Sequence, residues 1–280
     1  MIKLARTRSE VDTGSGRWGL VPTMGALHAG HLRLVAEAKA RCDRVAVSIF
    51  VNPLQFNDPQ DYRTYPRDLE HDLELLRKAE VDLVFAPQAS EFYPAGFTSR
   101  VELTGPLVEL WEGKHRPGHF TGVTIVLTKL FHLIGPELAF FGEKDFQQLR
   151  VVEQMVQDLD FPVKIIRVAT VREIDGLAIS SRNTFLDPLA RKDAPLIYQA
   201  LSVVNAAAIG GRTVVQGVSE AMEVLSWGSS LTPEYLAVVD PVLLTPLSDW
   251  VEGARVIAAV RVSTESGKSV RLIDNMEIKS

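Results

Sequence analysis

Along the first 168 residues, short apolar runs rich in β-branched residues alternate with stretches whose apolar positions fall three and four apart. The runs predict strands over residues 18–22, 44–51, 81–85, 138–141 and 164–168. The stretches between them predict helices over 31–41, 68–78, 123–133 and 146–159. Leu69, Leu73 and Leu76 share one face of the 68–78 helix, and Leu149, Val152, Val156 and Leu159 share one side of the 146–159 helix. Gly135-Pro136 supplies a stop for the 123–133 helix. Strands alternating with helices of this length specify an α/β fold, a parallel sheet with helices on both faces. Ligands in such sheets bind beyond the carboxyl ends of the strands. The loops after Val21, Val51 and Phe141 are therefore where chemistry is expected.

The rhythm changes near Val168 to Val171. Helices are expected over 188–208 and 214–225, and strands over 235–239, 256–260 and 270–273, joined by turns such as Ser266-Gly267. This reads as a smaller α+β unit, giving domains of 1–168 and 169–280. No repeat at a solenoid period interrupts either part.

Composition narrows the partners. The 280 residues carry 30 Lys and Arg against 35 Asp and Glu, a formal charge of −5, with 46% hydrophobic residues. That balance excludes a disordered chain, and the acidic excess argues against a broad nucleic-acid or anionic-membrane surface. Cys42 is the sole cysteine, so neither an internal disulfide nor a cysteine-rich zinc site can form. The start, Met1-Ile2-Lys3-Leu4-Ala5-Arg6, has charges where a signal peptide needs an apolar core. The apolar stretch 123–134 is interrupted by Lys129 and His132 and is too short to span a bilayer. A soluble cytoplasmic protein, with no nucleic-acid and no membrane partner, is expected.

The loop after the first strand reads Pro22-Thr23-Met24-Gly25-Ala26-Leu27-His28-Ala29-Gly30-His31. Gly25 and Gly30 let backbone approach a ligand where a Cβ would clash. A helix starting near Gly30 turns unpaired N–H groups and its positive dipole end towards the loop. His28 and His31 add two donors on the same side, and the assembly suits a polyanion such as a triphosphate. It is not a Walker A loop, because His31-Leu32 stands where Lys-Ser/Thr belongs, nor the Gly-x-Gly-x-x-Gly dinucleotide fingerprint. No redox cofactor is expected. A plain strand-to-helix turn with two surface histidines is the alternative, and a zinc pair would leave the glycines unexplained.

Phe141-Gly142-Glu143-Lys144-Asp145-Phe146-Gln147-Gln148 again passes from strand end to helix start. Lys144 is a compact charge fit for a phosphate, and Asp145 is placed to cap the helix. Gln148 would face the cleft, whereas Gln147 is expected in solvent. After the second strand, Asn52-Pro53-Leu54-Gln55-Phe56 sets two amides among apolar residues, a mix that suits a small hydroxylated substrate or an ordinary loop. Gly176-Leu177-Ala178-Ile179-Ser180-Ser181-Arg182-Asn183 offers two hydroxyls and a guanidinium as a mobile phosphate clamp. Its alternative is a turn in which the serines bond their own backbone. His115 and His119 are separated by Pro117-Gly118, which break any helix between them, so the two need not share a face; Arg116 and His119 could approach phosphates, but a loop that covers the cleft is the simpler reading. Asp61 and Asp72 could hold Mg²⁺, directly or through water, but solvated surface is the simpler reading. The metal ligands stay unassigned, with Asp72 the one residue kept in view. Cys42 reads as a helix-end residue without chemistry.

These segments share an order with a known family. Pro-Thr-Met-Gly-x-Leu-His-x-Gly-His, Phe-Val-Asn-Pro-x-Gln-Phe, Gly-Glu-Lys-Asp-Phe-Gln-Gln and Ser-Ser-Arg-Asn, with Arg-Pro-Gly-His-Phe at Arg116 to Phe120, resemble the pantothenate synthetase (pantoate–β-alanine ligase) family. The likeness runs from about Trp18 to Phe185 and more weakly beyond. It implies a nucleotidyltransferase-like Rossmann domain that binds ATP and pantoate, a small lid domain and usually a homodimer. It implies that ATP, carried with Mg²⁺, and (R)-pantoate give pantoyl adenylate and pyrophosphate, after which β-alanine displaces AMP to form pantothenate, on the way to coenzyme A. By motif match, the loop Pro22 to His31, then Gly142, Glu143, Lys144 and Asp145, then Val171, Ile179, Ser180, Ser181 and Arg182 would contact ATP. Gln55 and Gln148 would hold pantoate with Asn52 beside them, and Gln55 would also meet β-alanine. His31 matches the family's proton donor, and His28 and Lys144 join it as catalytic residues. Ile179 stands where Leu is common, and an acidic pair of some members is His71-Asp72 here. Three readings compete: a nucleotidyltransferase that stops at an adenylated product, a non-catalytic nucleotide-binding regulator, and a tRNA-linked synthetase. The acidic balance argues against the last.

Overall fold

Six strands pair in parallel in the computed structural model, which describes residues 2–279. They are β1 (Lys3–Ala5), β2 (Trp18–Thr23), β3 (Arg44–Ile49), β4 (Leu83–Phe85), β5 (Leu138–Gly142) and β6 (Lys164–Val168). Their order across the sheet is β1-β4-β3-β2-β5-β6. Successive side chains on a strand point to opposite faces, yet Leu20 and Val21 on β2 and Val45, Ala46 and Val47 on β3 are all fully buried. Both faces of the sheet are therefore covered, as parallel strands with continuous apolar runs require.

The helices Ala29–Lys39 and Leu69–Lys78 pack against β2, β3 and β5 through Leu34, Val35, Ala38, Leu73 and Leu76, and His119–Ile134 lies against β2, while Phe146–Asp158 links β5 to β6. The Ala29–Lys39 helix begins two residues before the expected start, and His119–Ile134 begins four residues early, directly after Pro117-Gly118. Strand β1 had no counterpart in the sequence reading. It is three residues long and exists through its partner: Leu4 lies opposite Val84 across a parallel pair with β4.

The chain divides into two compact units. The first comprises 1–143 with 147–169, and the second comprises Lys144–Phe146 with Thr170–Ser280. The expected boundary did not foresee that three residues at the end of β5 would fall with the second unit.

In the second unit, β7 (Leu231–Val239), β8 (Arg255–Ser263) and β9 (Ser269–Glu277) form an antiparallel sheet in that order. The β7–β8 register shifts between Pro233 and Tyr235, where proline has no N–H to offer the ladder. One helix expected over 188–208 is two, Pro188–Asp193 and Leu196–Ile209, because Pro195 cannot continue the backbone bonding of the first. Thr213 and Gln216 form a capping box that starts the Val214–Ser226 helix. Inside this apolar unit Arg172 reaches both oxygens of the buried Asp274 carboxylate, with Nη2 to Oδ1 at 2.9 Å. The Arg172 guanidinium also lies 4.5 Å from the centre of the Tyr198 ring.

Replacing Arg172 by Met leaves that carboxylate without its cation and should destabilise the chain by about 3 kcal/mol near neutral pH. Burial already pushes the Asp274 carboxyl upward, against the pull of Arg172. Without the guanidinium the folded state keeps its proton above the unfolded carboxyl value of about 3.9. Stability is then lost as pH rises, so the deficit should widen towards neutrality and shrink towards about pH 4. Denaturant titrations across that range test this, and a deficit independent of pH contradicts it.

Candidate active site

The sheet order reverses between β2 and β5. From β2 the chain passes outward to β3, and from β5 outward to β6, while β2 and β5 pair with each other through Gly19↔Leu138 and Leu20↔Ala139. Beyond the carboxyl ends of two such strands the crossover connections diverge and leave a crevice, the usual ligand position in open parallel sheets. The two motif loops expected to carry chemistry leave from these strands, one after Thr23 and the other at Gly142-Glu143.

After β2 the backbone turns through a left-handed pair, Gly25 at φ 82° and Ala26 at φ 51°. A Cβ at position 25 would lie 2.9 Å from Asp72 Oδ2 and 3.0 Å from Ile49 Cγ2, so only glycine fits. Ala26 adopts this conformation against its own preference, and Asp72 holds it there. The Asp72 carboxylate accepts the Ala26 N–H at 2.9 Å on Oδ2 and the Leu27 N–H at 2.7 Å on Oδ1. Asp72 is 1% exposed. Burial pushes its carboxyl above the usual range, and the two N–H bonds pull against that shift. This corrects the sequence reading of Asp72 as solvated surface: both of its oxygens brace the loop from within. Among the described residues no group of three or more His, Cys, Asp or Glu side chains is arranged to hold a metal ion. Thr23 is likewise a brace, its hydroxyl donating to Ser48 O at 2.6 Å and accepting from Gly25 N at 3.2 Å.

The braced turn delivers His28 to the N-cap of the Ala29–Lys39 helix. His28 Nδ1 accepts the Gly30 N–H at 3.2 Å, while His31 Nδ1 accepts the backbone N–H of His28 at 3.4 Å. The spacing of three that resembles a metal pair is thus the N-cap-to-N3 spacing of a capping box, built here from two imidazoles. Their rings stack with centroids 4.0 Å apart. A Cβ at Gly30 would meet His28 Nδ1 at 3.0 Å, which is why glycine lets the ring fold over the first turn. With both Nδ1 atoms accepting, each neutral ring carries its proton on Nε2, so the pair offers N–H donors at a helix start.

The loop after β3 joins this site through Gln55, whose Nε2 donates to Met24 Sδ at 3.0 Å. Asn52, expected beside the substrate, is 1% exposed and fully engaged. Its Nδ2 donates to Gln55 Oε1 at 3.1 Å and to Gly122 O at 2.9 Å, and its Oδ1 accepts from Leu54 N and the Tyr93 hydroxyl. Four bonds exhaust the side-chain amide, so Asn52 orients Gln55 rather than meeting a ligand. The Arg-Pro-Gly-His segment also braces. His119 Nδ1 lies 2.8 Å from Gln55 O, and Arg116 Nη2 donates to the same oxygen at 3.2 Å. Gln147, expected in solvent, is buried: its Nε2 donates to Leu107 O and Leu110 O and its Oε1 accepts from Glu112 N. Gln148 is half-buried on the Phe146–Asp158 helix.

In the second unit, the Lys144 ammonium lies 3.8 Å from Asp145 Oδ1 and is one-fifth exposed. Val171 and Ile179 are brought together, Ile179 N donating to Val171 O at 3.0 Å. Ser180 caps a 3₁₀ turn over Ser181–Phe185, its hydroxyl accepting from Arg182 N at 3.2 Å. That is the self-bonded turn named as the alternative to a clamp, and it fixes where Ser181 and Arg182 start.

Asp72→Asn places an N–H₂ against a backbone donor and should destabilise the chain by about 1–3 kcal/mol. Hydrogen exchange at the Ala26 and Leu27 amides should quicken as the turn loosens. Unchanged protection at both amides rules out the brace.

The chain matches the family described as Pantoate-beta-alanine ligase over residues 2–277. It is similar to the pantothenate synthetase of Thermus thermophilus, 53% identical over 260 residues that span 93% of this chain and 92% of that protein. The Cereibacter sphaeroides pantothenate synthetase is 46% identical over 285 residues, 99% of this chain and 100% of that one. A crystal structure of the pantothenate synthetase from Thermus thermophilus matches with a TM-score of 0.94 at 49% identity, covering 100% of both chains. A Francisella tularensis pantoate-beta-alanine ligase, complexed with beta-gamma ATP and beta-alanine, matches at 0.82 with 32% identity, covering 100% of this chain and 99% of that one. With its parallel sheet, its left-handed turn and its paired histidines at the order reversal, the chain is an enzyme that belongs to the pantoate-beta-alanine ligase family.

Proposed function

We propose that this chain condenses (R)-pantoate with β-alanine, driven by ATP, through a pantoyl-adenylate intermediate with release of pyrophosphate and AMP. The observation that carries this reading is the His28–His31 capping pair, two imidazole donors fixed at a helix start beyond the carboxyl end of β2. A carboxylate is a poor electrophile, and joining it to AMP as a mixed anhydride makes attack by an amine feasible. The obstacle in the first step is charge, because an anionic carboxylate must approach an anionic α-phosphorus. Its oxygen bonds to that phosphorus as the bond to the pyrophosphate oxygen breaks, and negative charge builds on the phosphoryl oxygens between. Fixed donors aimed at that charge are worth about 3–4 kcal/mol each. His28 and His31 supply two through Nε2, and Lys144 supplies a third by motif match. In the second step the neutral amine of β-alanine attacks the acyl carbon, AMP leaves, and the amine proton passes to solvent.

By motif match, the loop from Pro22 to His31, with Gly142, Glu143, Lys144, Asp145, Val171, Ile179, Ser180, Ser181 and Arg182, would bind ATP. Gln55 and Gln148 would hold pantoate, and Gln55 would also meet β-alanine. Asn52, Asp72, Arg116 and His119 act behind these residues, as braces. Mg²⁺ enters with ATP as part of the substrate, and no protein ligand is assigned to it. Assembly as a homodimer and a cytoplasmic location complete the proposal. Among the described residues no helix is long and apolar enough to cross a membrane.

Incubation with ATP, pantoate and β-alanine should yield pantothenate and AMP in equal amounts. A stable dinucleotide, or ATP binding without pyrophosphate release, overturns the proposal. His31→Ala should lower adenylation at least about a hundredfold, with the circular-dichroism spectrum unchanged, and near-normal pyrophosphate release rejects its assigned role. Gln55→Ala should raise the KM for pantoate more than that for ATP, and equal effects on both remove Gln55 from the pantoate site.

A further inference from the structure

Lys144 follows a first-unit strand in sequence, but its main chain is held by the second unit. Asn275 on β9 is 4% exposed, and its Nδ2 donates to Lys144 O at 2.9 Å. Its Oδ1 accepts from Arg255 Nη1 at 2.6 Å. Arg255, also 4% exposed, lays its guanidinium 3.8 Å from the centre of the Phe146 ring. The three residues Lys144–Phe146 are thus gripped at both ends, by an amide on the first carbonyl and a cation on the last ring. Asn275 is itself immobilised: its N–H donates to Asp274 Oδ1 at 2.7 Å, its carbonyl accepts from Arg172 Nη2 at 3.2 Å, and β9 holds it opposite Ile257.

The residue type carries information. Facing a buried guanidinium, a carboxylate would give the stronger, charge-assisted bond. An amide is favoured only if the same side chain must also donate, and the acceptor it serves is Lys144 O. We propose that Asn275 is a positioning residue for Lys144, setting the origin from which the ammonium reaches the nucleotide; this rests on the reading of Lys144 as a phosphate-contacting residue. A displacement of about 1 Å in a group aimed at a reacting centre can lower a rate about a hundredfold.

The test uses the 280-residue chain and four variants: Asn275→Asp, Asn275→Ala, Lys144→Ala and the double variant Lys144→Ala/Asn275→Asp. Asn275→Asp keeps the volume and the Arg255 contact but loses the donor. It should lower kcat for pantoate-dependent ATP–pyrophosphate exchange tenfold to a hundredfold, by the same displacement argument, while the KM for β-alanine in the complete reaction stays within about twofold of wild type. Asn275→Ala should show the same split at a temperature well below its melting midpoint. If Asn275 works through Lys144, the double variant should be no slower than Lys144→Ala alone. Losses that multiply in the double variant overturn the proposal, as does an Asn275→Asp enzyme at the wild-type rate beside an impaired Lys144→Ala. An unimpaired Lys144→Ala overturns the reading of Lys144 itself, and the proposal falls with it.

Discussion

Asp72 accepts two consecutive peptide N–H groups inside the first unit, and the geometry of the histidine pair follows from that contact. A left-handed turn at a non-glycine residue is costly on its own. Bonds from a buried carboxylate to backbone N–H groups are among the stronger ones in a protein, and here they stabilise the turn at Ala26. Once the turn is set, His28 can only occupy the N-cap, and the ring of His31 one turn later is aligned with it. The orientation of both imidazoles is therefore decided by a side chain that has no contact of its own with either ring among the hydrogen bonds that fix it.

The same device recurs at the other residues assigned to substrate. Gln55 is held through its main-chain carbonyl, by His119 and Arg116, and through its side-chain oxygen, by Asn52. Lys144 is held through its main-chain carbonyl by Asn275. In each case a buried polar group holds a main-chain carbonyl, and at Gln55 the side-chain amide is held as well, its Oε1 by Asn52 and its Nε2 by Met24 Sδ. Buried polar groups must be satisfied to be tolerated, and satisfying them on main-chain atoms gives rigidity. A positional tolerance of a few tenths of an ångström, which the transfer of a nucleotidyl group demands, is then met by the interior and not by the loop.

What could be read from the sequence divides along physical lines. The parallel strands announced themselves through β-branched apolar runs, and the helices through their three-to-four spacing, since both signals are local. The loops after β2 and β5 were located by the rule that ligands lie at strand carboxyl ends, and their order matched a family. Strand β1 was missed because three residues carry no periodicity and its partner lies near residue 84. The break at Pro195 was overlooked because apolar spacing continued across it. The braces were illegible for one reason: Asp72 and Leu27 are 45 residues apart, Gln147 and Glu112 are 35 apart, and Asn275 and Lys144 are 131 apart. A polar residue whose partner is distant looks like surface until the fold brings the two together. His-x-x-His was ambiguous for the opposite reason, since one local spacing serves both metal binding and helix capping.

The interleaving of Lys144–Phe146 with the second unit has a consequence for how this chain can be recombined. A hybrid made by joining the first 169 residues of this chain to the remainder of a relative would carry a lysine segment matched to one β9 and a β9 matched to another lysine segment. Grafts that exchange the later portion therefore need a second splice around residues 144–146, so that the tripeptide travels with the strand that holds it. The unit of inheritance for this half of the molecule is discontinuous along the gene, and three codons far upstream belong to it.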